Sequence, residues 1–196
     1  MALEKYFWVR PELDDAQTGL HVTDNTPSWM IRKEYYDDPA YVERLRATRI
    51  DYVWADEDAW SEDESVYRAD FLYLGFGVFC CSKQLFHSLP LGADETVAIP
   101  VFVSGEEYAA FRPALFSENL DMSSSVYRVL STGTAYGFSR VVLSLPPPRG
   151  TGILGLELDG RKLHLSVVSN TFYRFYRDLS LSGLTFHEAW PYHGSA

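Results

Sequence analysis

The sequence predicts an α+β fold with mixed, mainly antiparallel sheets and a few short helices. Short apolar stretches bounded by Gly, Pro, Asn or Asp dominate the chain, as is typical of strands, and helical spacing of apolar residues is confined to short segments. One pattern also occurs twice: an apolar strand, a serine, a short helix, a glycine-containing break and a second strand. The two copies read VFCCSKQLFHSLPLGADETVAIPV (78–101) and LSVVSNTFYRFYRDLSLSGLTFHEAW (165–190).

The domain organisation follows from length and composition. The chain has 196 residues, of which 46% are hydrophobic and 22% charged, which is typical of an ordinary globular protein. We predict a single domain over residues 1–196. The alternative is two lobes divided near residues 104–120 or at the proline-rich loop 146–152.

The first elements along the chain are a strand and a helix. Residues 5–13, KYFWVRPEL, alternate apolar and polar side chains and predict a strand, whereas residues 13–31 contain turn-forming residues and predict loop and hairpin. Asp38 and Pro39 then open PAYVERLRATR with an acidic cap and a proline at the first helical position, so a short helix is expected.

The middle of the chain predicts one long strand and two helical segments. The apolar run 71–81 predicts a single strand that ends at Ser82, and Ser82 is a candidate N-cap for SKQLFHSL. Residues 97–103 predict the next strand. Ser104 and Glu107 have capping-box spacing, which predicts a helical turn or two before Pro113.

The later part of the chain predicts hairpins. Residues 126–145 alternate well enough for two strands around TGTAYG, and Asp159-Gly160 is a two-residue turn signal between ILGLEL and RKLHLSVV.

Ser169 has two interpretations, a nucleophile at a strand end or a helix N-cap. A hydrolase nucleophile of the elbow type is surrounded by GxSxG, but the sequence here is VVSNT. The spacing favours the N-cap, with Phe172, Phe175, Tyr176 and Leu179 on the inward face of the following helix.

The net charge of −10 and the pI near 4.9 argue against direct binding to nucleic acid or to an anionic membrane, because both need a basic surface. A basic protein partner fits better. No complete nucleotide-binding, phosphate-loop or metal-binding motif occurs, so no cofactor is expected. The start lacks a secretory signal and Cys80-Cys81 predicts buried thiols, which together favour the cytoplasm.

The segment DEDAWSEDE (56–64) combines six carboxylates with tryptophan. It lacks the glycine that a calcium loop needs at its sixth position, whereas aromatic side chains among acids suit a surface that anchors a basic protein. The predicted partner-binding residues are Asp56, Glu57, Asp58, Trp60, Glu62, Asp63, Glu64 and Tyr67. A second polar loop adds Glu118, Asp121 and Ser124.

Four segments carry a resemblance to a known group of proteins. They are KYFWVRPEL, LYLGFGVFCCSKQLFHSL, VYRVLS and LSVVSNTFYRFYRDLSLSGLTFHEAWP. Together they resemble immunity proteins of bacterial polymorphic toxin systems, in a group first catalogued as a domain of unknown function from a myxobacterial protein. The glycine that often follows the Leu-Thr pair in that group is missing here, where the sequence reads SGLTF.

The resemblance implies an α+β protein, not an enzyme, that neutralises a cognate toxin delivered by a type VI or other contact-dependent secretion system. Nuclease toxins, DNases above all, are the expected partners, and the acidic charge agrees with that expectation. Two alternatives stay open: an adaptor or chaperone that stabilises an effector without inhibiting it, and a small hydrolase that uses Ser169 with His164 or His187.

Overall fold

The computed structural model describes residues 4–12, 20–22, 38–54, 69–74, 77–131 and 134–191. These residues form thirteen strands and three helices, in this order along the chain: β1 (Tyr6–Pro11), β2 (Leu20–Val22), α1 (Pro39–Ala47), β3 (Asp51–Trp54), β4 (Phe71–Tyr73), β5 (Phe79–Ser82), α2 (Lys83–Ser88), β6 (Thr96–Val103), β7 (Glu106–Pro113), β8 (Phe116–Ser117), β9 (Val126–Val129), β10 (Ala135–Arg140), β11 (Ile153–Leu158), β12 (Arg161–Ser169), α3 (Asn170–Asp178) and β13 (Leu184–Trp190).

The strands form two large sheets and a separate two-stranded ribbon. The first sheet has the order β13-β1-β12-β11-β8, the second has the order β2-β3-β6-β7-β5-β4, and β9 pairs with β10. Pairing is antiparallel except between β11 and β8 and between β3 and β6. The predicted α+β class with mixed, mainly antiparallel sheets is therefore confirmed.

The two repeated units share one topology. In the second sheet the hairpin β4-β5 leads through Ser82 and α2 to β6, and β7 lies between β5 and β6. In the first sheet the hairpin β11-β12 leads through Ser169 and α3 to β13, and β1 lies between β12 and β13. Each unit is thus a split βαβ arrangement. Its central strand is β7, which directly follows β6, in the second sheet, and β1, which is distant in sequence, in the first.

An aromatic core packs between the two sheets. It combines Phe7 of β1 and Val168 of β12 with Phe79 of β5 and Phe111 of β7, and Phe172 of α3 packs among them. Because successive strand residues point to opposite faces, each sheet buries side chains on its outer face as well, under α1 for the second sheet and under residues 120–122 and 138–143 for the first.

The helix predicted between Ser104 and Pro113 is wrong. These residues form a tight hairpin, in which Ser104 and Gly105 have positive φ angles of 49° and 87° and join β6 to β7. Two positive φ angles match the twist of a two-residue hairpin. Both faces of β7 are buried, because Ala110 packs in one core and Phe111 in the other, and this tertiary packing overrides the local capping signal.

The single strand predicted over residues 71–81 is also wrong. The run folds back on itself as β4 and β5, with Leu74 N–H donating to Val78 O at 3.0 Å and Gly77 at a φ of 80°. An uninterrupted apolar sequence is compatible with either arrangement, because both strands are buried on both faces. By contrast, the hairpin predicted at Asp159-Gly160 is confirmed, with Leu158 paired to Arg161.

Candidate functional site

The main predicted contact loop lies outside the described residues, since Asp56, Glu57, Asp58, Trp60, Glu62, Asp63, Glu64 and Tyr67 all belong to residues 55–68. Acidic and basic side chains nearly balance among the described residues. Most of the net charge of −10 therefore comes from residues 13–19, 23–37 and 55–68.

The second predicted loop is described, and Asp121 organises it. Its Oδ1 accepts hydrogen bonds from the backbone N–H groups of Ser123 at 2.9 Å and Ser124 at 3.1 Å, and from the Ser123 hydroxyl at 2.6 Å. The hydrogen bonds from Ser123, then those from Ser124, lower the pKa of the Asp121 carboxyl. Glu118 is exposed on the preceding segment. Asp121 and Ser124 thus shape this loop together.

The loop is joined to the base of the ribbon β9-β10. The Ser125 hydroxyl accepts a hydrogen bond from Val142 N–H at 3.0 Å, and Asp121 N–H donates to Val142 O at 2.8 Å. Arg140 Nε donates to Ser124 O at 3.0 Å. These contacts hold the loop, both strands of the ribbon and the segment after β10 in one arrangement.

One face of the ribbon packs on the protein and the other faces outward. The ring of Phe138 packs against the core on the outer face of the first sheet and lies 5.4 Å from the ring of Tyr127. Arg128 is paired with Tyr136, and Val126 with Arg140. Directly opposed residues share a face, as do residues two apart, so these four side chains form the outer face.

Exposed apolar side chains are concentrated on this ribbon. Of the seven large hydrophobic residues that are exposed within the described ranges, four lie here: Val126 at 45%, Val129 at 56%, Leu130 at 47% and Tyr136 at 42%. Val129 is opposite Ala135 and one residue from Arg128, so it lies on the other face. We call the three residues that share the outer face, Val126, Leu130 and Tyr136, the ribbon patch. The sequence-based prediction did not include the ribbon patch. In this part of the molecule it included only the neighbouring loop with Glu118, Asp121 and Ser124.

Ser169 is the N-cap of α3, as predicted. Its Oγ accepts a hydrogen bond from Phe172 N–H at 3.3 Å, and its side chain is buried, with 4% exposed. Ser82 does the same for Leu85 N–H at 3.2 Å in the other unit. The prediction that Leu179 packs inward is wrong, because α3 ends there and its side chain is 55% exposed.

Replacing Ser169 by alanine is expected to lower the free energy of unfolding by about 0.5–2 kcal/mol, because Phe172 N–H would lose its acceptor. Ser169→Thr keeps the hydroxyl and is the matched control. Urea unfolding of both variants measures the loss. Equal stability of Ser169→Ala and the parent protein would contradict the capping role.

A buried carboxylate fixes the proline-rich loop. Glu95 is 6% exposed, and its carboxylate oxygens accept hydrogen bonds from Gly92 N–H and Gly152 N–H, each at 2.9 Å. The Tyr6 hydroxyl donates to Pro148 O at 3.2 Å, and burial, before the charges of Glu4 and Glu95, raises the pKa of Tyr6 to about 12. These hydrogen bonds tie the loop 146–152 to residues 92–95 and to β1.

Cys80 and Cys81 point to opposite faces of β5, into two different cores. Burial raises the pKa of both thiols, and both are free thiols. In the described part of the chain, no group of three His, Cys, Asp or Glu side chains is placed to hold a metal ion. None of the helices in the described ranges is long and apolar enough to cross a membrane.

Comparisons with protein-family models and with curated protein sequences found no match for this chain.

Proposed function

We propose that this chain is an immunity protein that binds a cognate secreted toxin, a DNase by preference, and neutralises it by covering the active site or the substrate groove. The observation that carries this proposal is the ribbon patch. Exposed apolar side chains grouped on one face of a globular protein mark a surface that contacts another protein, and Val126, Leu130 and Tyr136 lie on one face of the ribbon beside the polar loop of Asp121.

The chemistry of the patch suits protein recognition. Tyrosine and arginine are enriched among the residues that contribute most to protein interfaces, and Tyr136 is paired with Arg128 on the outer face. The base of the ribbon is hydrogen-bonded through Ser125 and Arg140. A pre-ordered surface loses little conformational entropy on binding.

The choice of a nuclease rests on charge and on the resemblance to immunity proteins. The net charge is −10, and the segment 56–64 alone carries six carboxylates. Carboxylates placed in a nucleic-acid groove replace phosphates, and a charge opposite to that of the partner accelerates association. An acidic, aromatic surface is therefore suited to a basic nuclease domain.

Co-expression with the toxin tests the proposal. The C-terminal domain encoded by the neighbouring upstream open reading frame is expressed with and without this chain, and cell survival and DNA cleavage by the purified domain are measured. Survival together with loss of cleavage supports inhibition. Formation of a complex without survival would instead support the adaptor alternative, and the absence of a complex would refute both.

The hydrolase alternative makes a separate prediction, because it requires the Ser169 hydroxyl to react. The structure buries that hydroxyl and uses it to cap α3. Loss of an activity in Ser169→Ala, with retention in a similarly destabilised variant, would favour the hydrolase.

Replacing Asp56, Glu57 and Asp58 together by alanine is expected to weaken toxin binding and to reduce its dependence on salt concentration. The physical reason is the loss of three charges that attract a basic surface. Affinity is measured by titration calorimetry at several salt concentrations. The control removes three other carboxylates, Glu106, Glu157 and Asp178, and should change affinity much less. Equal effects of the two triple variants would show that segment 56–64 acts only through its contribution to the net charge.

A further inference from the structure

We propose that the outer face of the ribbon β9-β10 binds an acidic, apolar patch on the toxin, although the toxin as a whole is expected to be basic. This inference rests on the proposed function and adds the chemistry of one contact surface. It is carried by the local charge of the ribbon and by the geometry of its outer face.

The ribbon lies in a part of the chain that has only positive charges. Between Met122 and Leu156 the sequence contains Arg128, Arg140 and Arg149 and no Asp or Glu. This sign is opposite to the net charge of −10. Carboxylates on the partner surface would therefore favour close contact with the ribbon, whereas lysine and arginine there would oppose it.

The outer face alternates apolar and cationic side chains. Val126 is opposite Arg140, and Arg128 is opposite Tyr136, so each apolar residue has an arginine beside it. Leu130, two residues after Arg128, extends the apolar surface of this face towards the turn end of the ribbon. A complementary surface has apolar side chains for the patch and carboxylates next to them, which arginine can bind through two hydrogen bonds.

Each arginine has a contact within the ribbon or its adjoining loop. The stem of Arg128 lies over Gly137, where an added Cβ would be 3.6 Å from its Cδ, and Arg140 Nε is bound to Ser124 O at 3.0 Å. Gly137 has a φ of 55° at the irregular point between Tyr136 and Arg140. A hydrogen-bonded guanidinium group such as that of Arg140 loses less entropy on binding than a mobile one, which favours its use in recognition.

The sign of one charge reversal tests the inference. With the toxin domain encoded upstream as the probe, Arg128→Glu is expected to raise the dissociation constant at least about tenfold if the ribbon contacts carboxylates. If the ribbon faces the basic surface expected of the whole toxin, the same change should lower the dissociation constant. Arg128→Gln, which removes the charge without reversing it, should give a smaller change of the same sign.

Matched controls separate the ribbon from general effects. Arg174→Glu reverses an exposed arginine on α3 and should leave binding unchanged or slightly tighter. Leu130→Ser and Leu179→Ser alter leucines of comparable exposure, 47% and 55%, and only the first should weaken binding. Circular dichroism verifies that every variant is folded.

Each outcome decides the inference. Weaker binding for Arg128→Glu and Leu130→Ser, with unchanged controls, supports it. Unchanged or tighter binding for Arg128→Glu overturns it while leaving the proposed function intact. Self-association of the chain that Leu130→Ser abolishes, without effect on toxin binding, assigns the patch to a second copy and also overturns it. No binding by the parent protein overturns the proposed function and this inference together.

Discussion

Among the glycines that the structure describes, Gly183 is expected to cause the largest loss of stability when it is replaced by alanine. Gly183 has a φ of 100°, and a Cβ there would lie 2.0 Å from Phe71 O and 2.9 Å from Ala69 Cβ. Two costs combine. L-amino acids with a side chain rarely adopt this backbone conformation, and the added Cβ would overlap with backbone atoms of β4. We expect the free energy of unfolding to fall by about 3–5 kcal/mol.

The position explains why relaxation is costly. Gly183 O accepts a hydrogen bond from Glu12 N–H at 2.9 Å, and the neighbouring Ser182 O accepts one from Phe71 N–H at 3.0 Å. The residue therefore lies where the loop from α3 to β13 meets both the end of β1 and the start of β4. A shift that relieved the overlap would disturb hydrogen bonds to both sheets.

Gly105→Ala is the control for this substitution. Gly105 has a similar φ of 87°, but no atom lies within 4 Å of a Cβ placed there. The control thus retains the conformational cost, of order 1 kcal/mol, and lacks the overlap. Urea unfolding of both variants measures the difference, and equal losses would contradict the close approach at Gly183.

Phe172→Ala is expected to lower the free energy of unfolding by about 3–5 kcal/mol, as is typical when a large aromatic residue is removed from a core. Phe172 is 2% exposed, and its ring centroid lies 6.1 Å from that of Phe71 in the second sheet and 6.5 Å from that of Phe186 in the first. Phe175→Ala, on the same helix but half-buried, should cost clearly less. Chemical denaturation measures both, and a similar loss at the two positions would refute the central role of Phe172.

The same variant tests the predicted domain organisation. If the chain is one domain, Phe172→Ala destabilises both sheets together, because its ring packs between them. Hydrogen exchange then shows that β6 and β7 lose protection in parallel with β1 and β12. Loss of protection in one sheet alone would support two lobes.

The sequence predicted the elements whose signals are local. Asp38, Ser82 and Ser169 cap their helices as expected, and Asp159-Gly160 forms its turn, because each depends on a few neighbouring residues. The segment after Ser104 was mispredicted since its state depends on burial of both faces of β7 by distant residues. Local capping spacing carries no information about such packing.

The ribbon patch could not be predicted for a related reason. VYRVL reads as an ordinary half-buried strand, and only the packing of Phe138 on the first sheet shows which face turns outward. Exposure of Val126 on the outward face is therefore a property of the assembled fold. The acidic segment was predicted from composition alone, and its role as a contact surface stays a prediction.

The shared topology of the two units has a consequence for the order of folding. In the second sheet β7 follows β6 through the two residues Ser104 and Gly105, so the unit β4-β5-β7-β6 can assemble from contiguous chain. In the first sheet the equivalent place is taken by β1, whose Tyr6 is paired with Trp190 at the end of β13. Because strands that are far apart in sequence pair slowly, we expect the first sheet to form last. Its final step is the insertion of β1 between β12 and β13. A short linker that joins Trp190 to Tyr6 would make β13 and β1 neighbours in sequence, as Ser104 and Gly105 do for β6 and β7.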